Sequence, residues 1–448
     1  MSGHPHAYHK PIAVSDALIQ ETVSTTERRV STGEDRLALS GLATLLLCLC
    51  GVAFALCLLG TLLFSTTGMR DFMSFRVGAQ LLGTPHLYDM PSILAVQKAM
   101  IGSVHPGVPY ARPPFFAAAI RPLLLVSYST AACIWKWLLI AALVASASLF
   151  PFVPRRYAAL AVCCSLPATI ALEIGSDAPP VLLFVVLSLA CWEKGRSVLA
   201  GVMLGLCLAK FHFLVFLPLL LFQRKYRRVF CGFAITASAL LIVNFAVQPD
   251  WIPLYWKALN MPQGNMSFFA EGMPDFYGIF FRTGHPEIAV IFGASLVGML
   301  LWRIRLLPFE LAMPLCITGG LVAAPHTGWN DLVIAIPAFL LVAHRFPGLR
   351  HMAFLLLSPI AVLPVMHIGP PYLGAALFVA ASIWLMHRLS RSCHVITKIS
   401  GCAMAVPDPM DSAIITAAVL TPLMLASAGL FVDVASSIIM EPSVFLPE

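Results

Sequence analysis

Long apolar runs recur along almost the whole chain, and they limit its fold more than any other feature. The hydrocarbon core of a bilayer is about 30 Å thick and needs about 20 apolar residues for each helix that crosses it. The 448 residues are 59% hydrophobic and 11% charged, whereas about 25% of the residues in a soluble domain are charged. We therefore predict an all-α, polytopic membrane protein with roughly 11 to 13 transmembrane helices.

Short clusters of basic residues between the runs predict the orientation in the membrane. They account for the net charge of +7 and are typical of membrane topology rather than of a nucleic-acid-binding patch. By the positive-inside rule they face the cytoplasm, as does the N-terminal tail. The basic connections are Arg155-Arg156, Lys194 to Arg196, Arg224 to Arg228, Arg303 to Arg305, His344 to Arg350 and Arg388 to Arg391. The alternating connections, expected on the outer face, are Glu173 to Asp177, Lys210 to His212, Gln248 to Pro286, Pro325 to Asp331 and His367 to Pro371.

The runs also predict how the chain is divided. The parts are a tail at 1–37, a transmembrane domain at 38–388 with outer-face loops at 65–113 and 249–286, a hydrophilic connector at 389–411, and a final span with a short tail at 412–448. We predict that the first tail is disordered and cytoplasmic, although its histidines are also compatible with metal binding. The first run is too long and starts too late for a cleaved signal peptide, so we interpret it as a retained span.

Two runs contain polar residues at positions where a simple membrane helix would not. Arg121 lies in the middle of Pro113 to Tyr128, so we predict that this part is interfacial or re-entrant. The true span would then be Thr130 to Phe150, with Lys136 extending toward its outer end. In the second run, Ser197 to Phe222, two short helices meet near Lys210. Interrupted helices are tolerated where the backbone lines a cavity, which indicates a site there.

The polar segment after the first run predicts a helix that lies on the membrane. Phe72, Phe75, Ala79 and Leu82 have helical spacing, and Gly83 would end the helix. Asp71 stands at its beginning. The carboxylate is either an ordinary helix cap or a functional group, and the two interpretations are compatible because both need an ionised carboxylate at this place.

The order of several motifs resembles glycosyltransferase family 87. The first is Asp71-Phe-x-x-Phe-x-x-Gly-Ala-x-Leu-Leu-Gly-x-Pro-His-Leu-Tyr88-Asp89; then follow Tyr110-x-x-Pro-Pro-Phe-Phe116 with Arg121-Pro-Leu, Ala200 to Lys210, Gly264-Asn-Met-Ser267, and Pro325-His326 to Asp331. The resemblance implies a polytopic enzyme of the C-type glycosyltransferase (GT-C) fold. It also implies a polyprenyl-phosphate-sugar donor, as in the mannosyltransferases of this family, and a lipid or glycan acceptor.

The resemblance implies roles for individual residues as well. Asp71 would be the catalytic base, and one carboxylate is enough for inverting transfer because a phosphate leaving group needs no protonation. The candidates for substrate binding are Lys210, His326, Arg112, His212, Asp331 and Tyr88. Three of them have simpler explanations: Lys210 as a side chain that reaches the interface, His326 as a structural histidine, and Asp331 as a helix cap.

Two positions depart from the family pattern, and other functions remain open. Arg112 stands where the family usually has a non-basic residue, and Gly175-Ser176-Asp177-Ala178 stands where Gly-Gln-x-Asn is common, so mannose is not fixed as the sugar. A transporter or flippase would use Lys210, Glu173 and Asp177 as pathway charges. An accessory subunit without chemistry is a third possibility.

Cysteine and histidine spacing gives no sign of a metal or cofactor site. The 12 cysteines lie mostly inside apolar runs, without a CxxC motif, so neither a disulfide framework nor a zinc site is predicted. We expect a donor, an acceptor and membrane lipids as partners, no nucleic acid, and a location in the plasma (inner) membrane with the site on the outer face. The aromatic residues of loop 249–286 are either a membrane-interface belt or a surface for sugar or lipid.

Overall fold

The computed structural model describes residues 69–102, 108–163, 165–214, 217–259, 273–281, 285, 287–304, 307–324 and 326–346. The predicted N-terminal tail, first span, hydrophilic connector and final span lie outside these residues. The same holds for the motif Gly264 to Ser267.

The described residues are mostly helical and contain no strand, which confirms the all-α prediction. The α-helices are α1 (Arg70–Leu81), α2 (Met90–Ile101), α3 (Pro114–Ile120), α4 (Tyr128–Leu149), α5 (Arg155–Cys163), α6 (Leu166–Ile174), α7 (Ala178–Glu193), α8 (Ser197–Leu206), α9 (Leu217–Leu221), α10 (Arg227–Val247), α11 (Trp251–Leu259), α12 (Phe276–Phe281), α13 (Glu287–Ile304), α14 (Phe309–Ala323) and α15 (Ile336–Arg345). Tighter 3₁₀ helices occur at Arg121–Leu125, Cys207–Leu214, Arg224–Tyr226 and Trp329–Ala335.

Three helical stretches in the described part are long and apolar enough to cross a bilayer. They are Tyr128–Leu149, Ser197–Leu214 and Arg224–Val247. The first has 22 residues, and at 1.5 Å per residue it is about 33 Å long, which matches a hydrocarbon core. The chain is therefore a membrane protein. The number of spans remains a prediction, since many apolar runs lie outside the described residues.

The segment before α4 consists of the short helix α3 and the 3₁₀ helix Arg121–Leu125, and its interfacial or re-entrant position stays a prediction. Pro114–Leu125 is shorter than the roughly 20 residues that a helix needs to cross a bilayer, and Arg121 is exposed. The backbone is extended at Val126, and the Ser127 hydroxyl then accepts the N–H of Thr130 at 3.2 Å and begins α4. The side chain of Lys136 is buried, and its extension toward the outer end of the span stays a prediction.

Helix α1 is also more deeply enclosed than a surface helix would be. All four residues of the predicted apolar face are buried, but so are Met73, Ser74 and Val77 on its other sides. Other segments cover those sides, because the Ser74 hydroxyl donates to the carbonyl of Pro109 at 2.7 Å and Arg76 donates to the carbonyl of Leu123 at 2.6 Å.

The two ends of α1 differ in how well the sequence predicted them. Met69 occupies the N-cap position and Asp71 is the second helical residue, without a capping hydrogen bond. The interpretation of Asp71 as the N-cap is therefore wrong. The helix ends after Leu81, and Gly83 takes a φ of 84° that only glycine adopts easily. The predicted end is confirmed.

The C-terminal end of α10 holds two polar segments in place. The side-chain oxygen of Asn244 accepts the backbone N–H of Phe115 at 2.7 Å, at the beginning of α3. Gln248 accepts the N–H of Gly83 at 2.8 Å and donates to the carbonyl of Thr84 at 3.1 Å, after the end of α1. One membrane helix thus positions both the segment that follows Arg112 and the helix that carries Asp71.

Helices α8 and α10 touch through their backbones at glycine residues. A Cβ on Gly201 would overlap the carbonyl oxygen of Val229, and a Cβ on Gly232 would overlap the carbonyl oxygen of Val198. Close approach through small residues is the usual way in which membrane helices associate, because lipid provides little hydrophobic drive between them.

We expect Gly201→Ala to destabilise the protein by about 1 to 3 kcal/mol, since the added methyl forces the two helices apart. Unfolding of the purified protein in mixed micelles, followed by circular dichroism, measures this effect. Gly298→Ala is the matched control, because no atom lies within 4 Å of a Cβ at that helical position. Equal loss of stability in both variants would contradict the packing argument.

Candidate active site

Lys210 lies at a break in a membrane helix, as the sequence predicts. Helix α8 ends at Leu206, and within the following 3₁₀ segment Lys210 has non-helical angles, φ −120° and ψ 57°. The backbone of α14 supports this irregular segment directly, since a Cβ on Gly320 would overlap the carbonyl oxygen of Phe213. The break therefore turns the Lys210 side chain inward at a fixed place.

The side chain of Lys210 is almost fully buried, with 1% exposure, and it bridges two carboxylates. Its Nζ lies 2.8 Å from Oδ1 of Asp177 and 2.6 Å from Oδ1 of Asp331. The alternative in which Lys210 extends to the membrane interface is wrong. The ammonium group is committed to protein carboxylates instead, because a buried charge without a partner is costly.

Arg112 forms the second half of this arrangement. Its Nε lies 2.7 Å from Oδ2 of Asp177, and its Nη2 lies 3.1 Å from Oδ1 of the same carboxylate. Such two-pronged pairing fixes the plane of the guanidinium. The Nη1 atom has only a long contact of 3.5 Å to the carbonyl of Ala111, so its N–H groups are nearly unused.

Asp331 both caps a helix and binds Lys210. Its Oδ2 accepts the backbone N–H of Gly328 at 2.9 Å, at the beginning of the 3₁₀ helix Trp329–Ala335. Its Oδ1 accepts the side-chain amide of Asn330 at 3.0 Å in addition to the Lys210 ammonium. Asn330 in turn donates to the hydroxyl of Ser176 at 2.8 Å. The cap interpretation is therefore correct, but it covers only one of the two oxygens.

We call Arg112, Asp177, Lys210 and Asp331 the ionic cluster. It contains two cations and two anions, so it is neutral as a whole. Burial alone would raise the pKa of Asp177, but Arg112 and Lys210 outweigh burial and hold that pKa well below its ordinary value. Each group of the cluster is in direct contact with a group of opposite charge.

Asp71 lies beside the ionic cluster. The turn at Gly175 brings the two together: a Cβ there would lie 2.8 Å from Met69 and 3.0 Å from Phe72, the neighbours of Asp71. Trp135 fixes the same turn by donating to the Gly175 carbonyl at 2.9 Å.

The carboxylate of Asp71 differs from those of the cluster in that it is unpaired. Within the described ranges, no hydrogen bond or ion pair engages it. Burial raises its pKa from 3.8 to about 6; Lys210 and Arg112 lower the pKa, and Asp177 and Asp331 raise it. At neutral pH the group is mostly ionised and yet basic enough to accept a proton.

Two histidines border the same region. His326 follows α14, and its Nδ1 atom is buried without a hydrogen-bond partner among the residues that the structure describes. Burial lowers its pKa to about 4, so its ring is neutral at pH 7. His212 lies close enough to Arg112 and His326 to interact with them electrostatically.

A buried carboxylate fixes the loop that carries His326. Oδ2 of Asp275 accepts the N–H of Thr327 at 2.8 Å, and its Oδ1 accepts the N–H of Gly278 at 2.6 Å. The loop therefore has a defined shape next to the ionic cluster.

Tyr88 supports the site by holding the backbone of Arg112. It is buried, its hydroxyl donates to the carbonyl of Arg112 at 3.0 Å, and its ring stacks on Tyr110 with centroids 5.7 Å apart. A second ring, that of Tyr255, meets it edge-on at 5.2 Å. These contacts hold the backbone from which the Arg112 side chain extends.

The sequence analysis missed the central role of Asp177. It noted the residue only as a departure from a family pattern and as a possible pathway charge. Asp275 and Asn330 were also missed. A signal was available for Asp177, because a carboxylate directly before a long apolar helix is expensive to bury unless cations reach it.

We expect Lys210→Met to destabilise the protein by about 3 to 5 kcal/mol, because it leaves two buried carboxylates without their shared cation. Thermal or denaturant unfolding of the purified protein measures the loss. Lys98→Met removes an exposed lysine and should change stability by less than about 0.5 kcal/mol. A small effect at Lys210 would show that the cluster does not depend on its ammonium group.

Comparison with known sequences gives the family. The sequence model of glycosyltransferase family 87 matches residues 110–359, more than half of the 448 residues. The match includes the whole ionic cluster and begins after Asp71 and Tyr88. No curated protein and no solved structure matches the chain. The chain belongs to glycosyltransferase family 87 and is a membrane glycosyltransferase.

Proposed function

We propose that the protein transfers a sugar from a polyprenyl-phosphate donor to a lipid or glycan acceptor, with inversion at the anomeric carbon and with Asp71 as the general base. The reaction would take place on the outer face of the plasma (inner) membrane. The observation that carries this proposal is the carboxylate of Asp71, which pairs with none of the described residues and lies beside a buried and neutral ionic cluster.

The proposed chemistry needs one base. Asp71 accepts the proton of the acceptor hydroxyl while that oxygen attacks the anomeric carbon. The bond between the sugar and the phosphate oxygen breaks, and polyprenyl phosphate leaves as an anion. No general acid is required, because a phosphate is stable without protonation. This fits a site in which the two other nearby carboxylates, Asp177 and Asp331, are occupied by cations.

The donor phosphate needs hydrogen-bond donors, and the structure changes which residues we propose for that role. Lys210 is committed to two carboxylates, so we now assign it to holding Asp177 and Asp331 in place. Arg112 keeps nearly unused N–H groups on Nη1, and His326 has an unpartnered ring nitrogen. We propose that these two side chains, with His212 beside them, bind the phosphate.

Aromatic residues next to the site suit a donor that enters from lipid. The ring of Phe211 is exposed, and its centroid lies 6.2 Å from that of Tyr255. Trp256, one residue further along α11, is exposed as well. An exposed aromatic surface beside a charged site favours an amphipathic ligand, with its chain in lipid and its head group at the cluster.

The transporter alternative finds less support. Its pathway charges would have been Lys210, Asp177 and Glu173. The first two are locked in mutual contact at 2.8 Å, and the third is exposed on α6. Residues that release and rebind a substrate need to change partners, which this arrangement does not favour.

We expect Asp71→Asn to reduce sugar transfer by about 10² to 10⁴-fold while the protein remains folded. The reason is that an amide, which cannot accept the proton, replaces the proposed base. A membrane assay with radiolabelled polyprenyl-phosphate sugar measures transfer. Wild-type activity should fall as the pH drops below about 6, where Asp71 gains a proton. Asp89→Asn is the control, since it makes the same change at a helix cap where asparagine serves equally well. Full activity of Asp71→Asn would rule out this residue as the base.

We expect His326→Ala to raise KM for the donor about tenfold, the effect of losing one hydrogen bond to a charged group, and to leave KM for the acceptor nearly unchanged. Steady-state kinetics with each substrate varied in turn give both constants. His86→Ala removes an exposed histidine and serves as the control. A change confined to the acceptor would argue against phosphate binding by His326.

A further inference from the structure

The carboxylate of Asp177 is the place where both cations of the site are held. Its Oδ2 binds Nε of Arg112 at 2.7 Å, and its Oδ1 binds both Nη2 of Arg112 at 3.1 Å and Nζ of Lys210 at 2.8 Å. The carboxylate is 1% exposed, so water does not compete for these contacts. Removing it would leave Arg112 without its carboxylate partner and Lys210 with Asp331 as its one remaining carboxylate among the described residues.

Arg112 and Lys210 lie near a further carboxylate, that of Asp71. Asp71 is close enough for Lys210 and Arg112 to act on it electrostatically, and no described residue pairs with its carboxylate. A buried charge is most stable in direct contact with a group of opposite charge, because water does not solvate it. A cation that lost Asp177 would therefore pair with Asp71, and a carboxylate in such a pair is a weaker base.

We propose that Asp177 is a positioning residue that keeps Arg112 and Lys210 bound to itself and so leaves Asp71 unpaired and able to accept a proton. This inference rests on the proposed function, in which Asp71 is the base. It gives Asp177 a role in the reaction without contact to the reacting atoms.

The charged groups around Asp71 determine in which direction its pKa changes when the charge of Asp177 is removed. Lys210 and Arg112 stabilise its ionised form and lower its pKa, whereas Asp177 and Asp331 favour its protonated form and raise its pKa. The other charged side chains on α1 and on the helical segments packed against it are Arg70, Arg76, Lys98, Arg121 and Glu173. Of these, Arg76 is tied to backbone carbonyls and the rest are exposed. Loss of the Asp177 charge should therefore make Asp71 more acidic.

The first experiment compares Asp177→Asn with Glu173→Gln, which removes an exposed carboxylate from the preceding helix. We expect the acid limb of the plot of kcat against pH to move to lower pH by about one unit in Asp177→Asn. At pH 7 kcat should fall about threefold to tenfold, because a weaker base transfers protons less efficiently. Glu173→Gln should match the wild type. A lower kcat with an unshifted acid limb would mean that Asp177 is only structural, and the proposal would fail.

A charge-balanced double variant covers the case in which Asp177→Asn does not fold. Arg112→Gln together with Asp177→Asn removes one cation and one anion, so Lys210 and Asp331 remain as a neutral pair. We expect the double variant to fold and its acid limb to return toward that of the wild type, even though its donor KM rises. An acid limb that stays displaced to low pH contradicts the proposal, as does failure of both variants to fold.

A titration without substrate separates this inference from the proposed function. Infrared difference spectra of the purified wild type against Asp71→Asn, recorded between about pH 4 and 9, report the protonation of Asp71 directly. We expect the titration to move to lower pH in Asp177→Asn and to recover in the double variant. If transfer proves independent of Asp71, the proposed function fails while the titration still decides whether Asp177 keeps that carboxylate unpaired. An unchanged titration overturns the inference.

Discussion

The contact on which the rest of the site depends is the shared carboxylate of Asp177, bound by Arg112 and Lys210. Charges buried at this depth are stable only when their partners are close and all their hydrogen bonds are made. The ionic cluster meets this condition with contacts of 2.6 to 3.1 Å. It joins the loop before α3, the turn before α7, the break after α8 and the 3₁₀ helix after α14. Segments far apart in the sequence are thereby fixed around one point.

The sequence predicted most of the local features for clear physical reasons. Apolar runs of bilayer length give membrane helices, and a charge inside such a run indicates a broken helix, as the structure has it at Lys210. The end of α1 at Gly83 was predictable because glycine accepts the left-handed conformation. These features depend on neighbours along the chain, so one sequence contains the information.

The pairing of charges could not be predicted in the same way. Arg112 and Asp177 each stood out as a departure from the family pattern, yet only the structure shows that the two departures are partners. Lys210 was expected to reach a ligand, whereas it binds two carboxylates 33 and 121 positions away. Asp71 was misjudged for a different reason, because the helix begins at Arg70 and the carboxylate therefore lies inside its first turn.

The glycine contacts between α8 and α10 determine more than the stability of the pair. Helix α8 leads directly into the break at Lys210, and α10 ends at Gln248, which holds the end of α1. The two backbones touch at Gly201 and Gly232, so the helices are packed closely against each other. The contact between the two helices therefore helps to set the separation between the break at Lys210 and the helix that carries Asp71. The packing of two apolar helices thus acts together with the turn at Gly175 to set the distance between Asp71 and the ionic cluster.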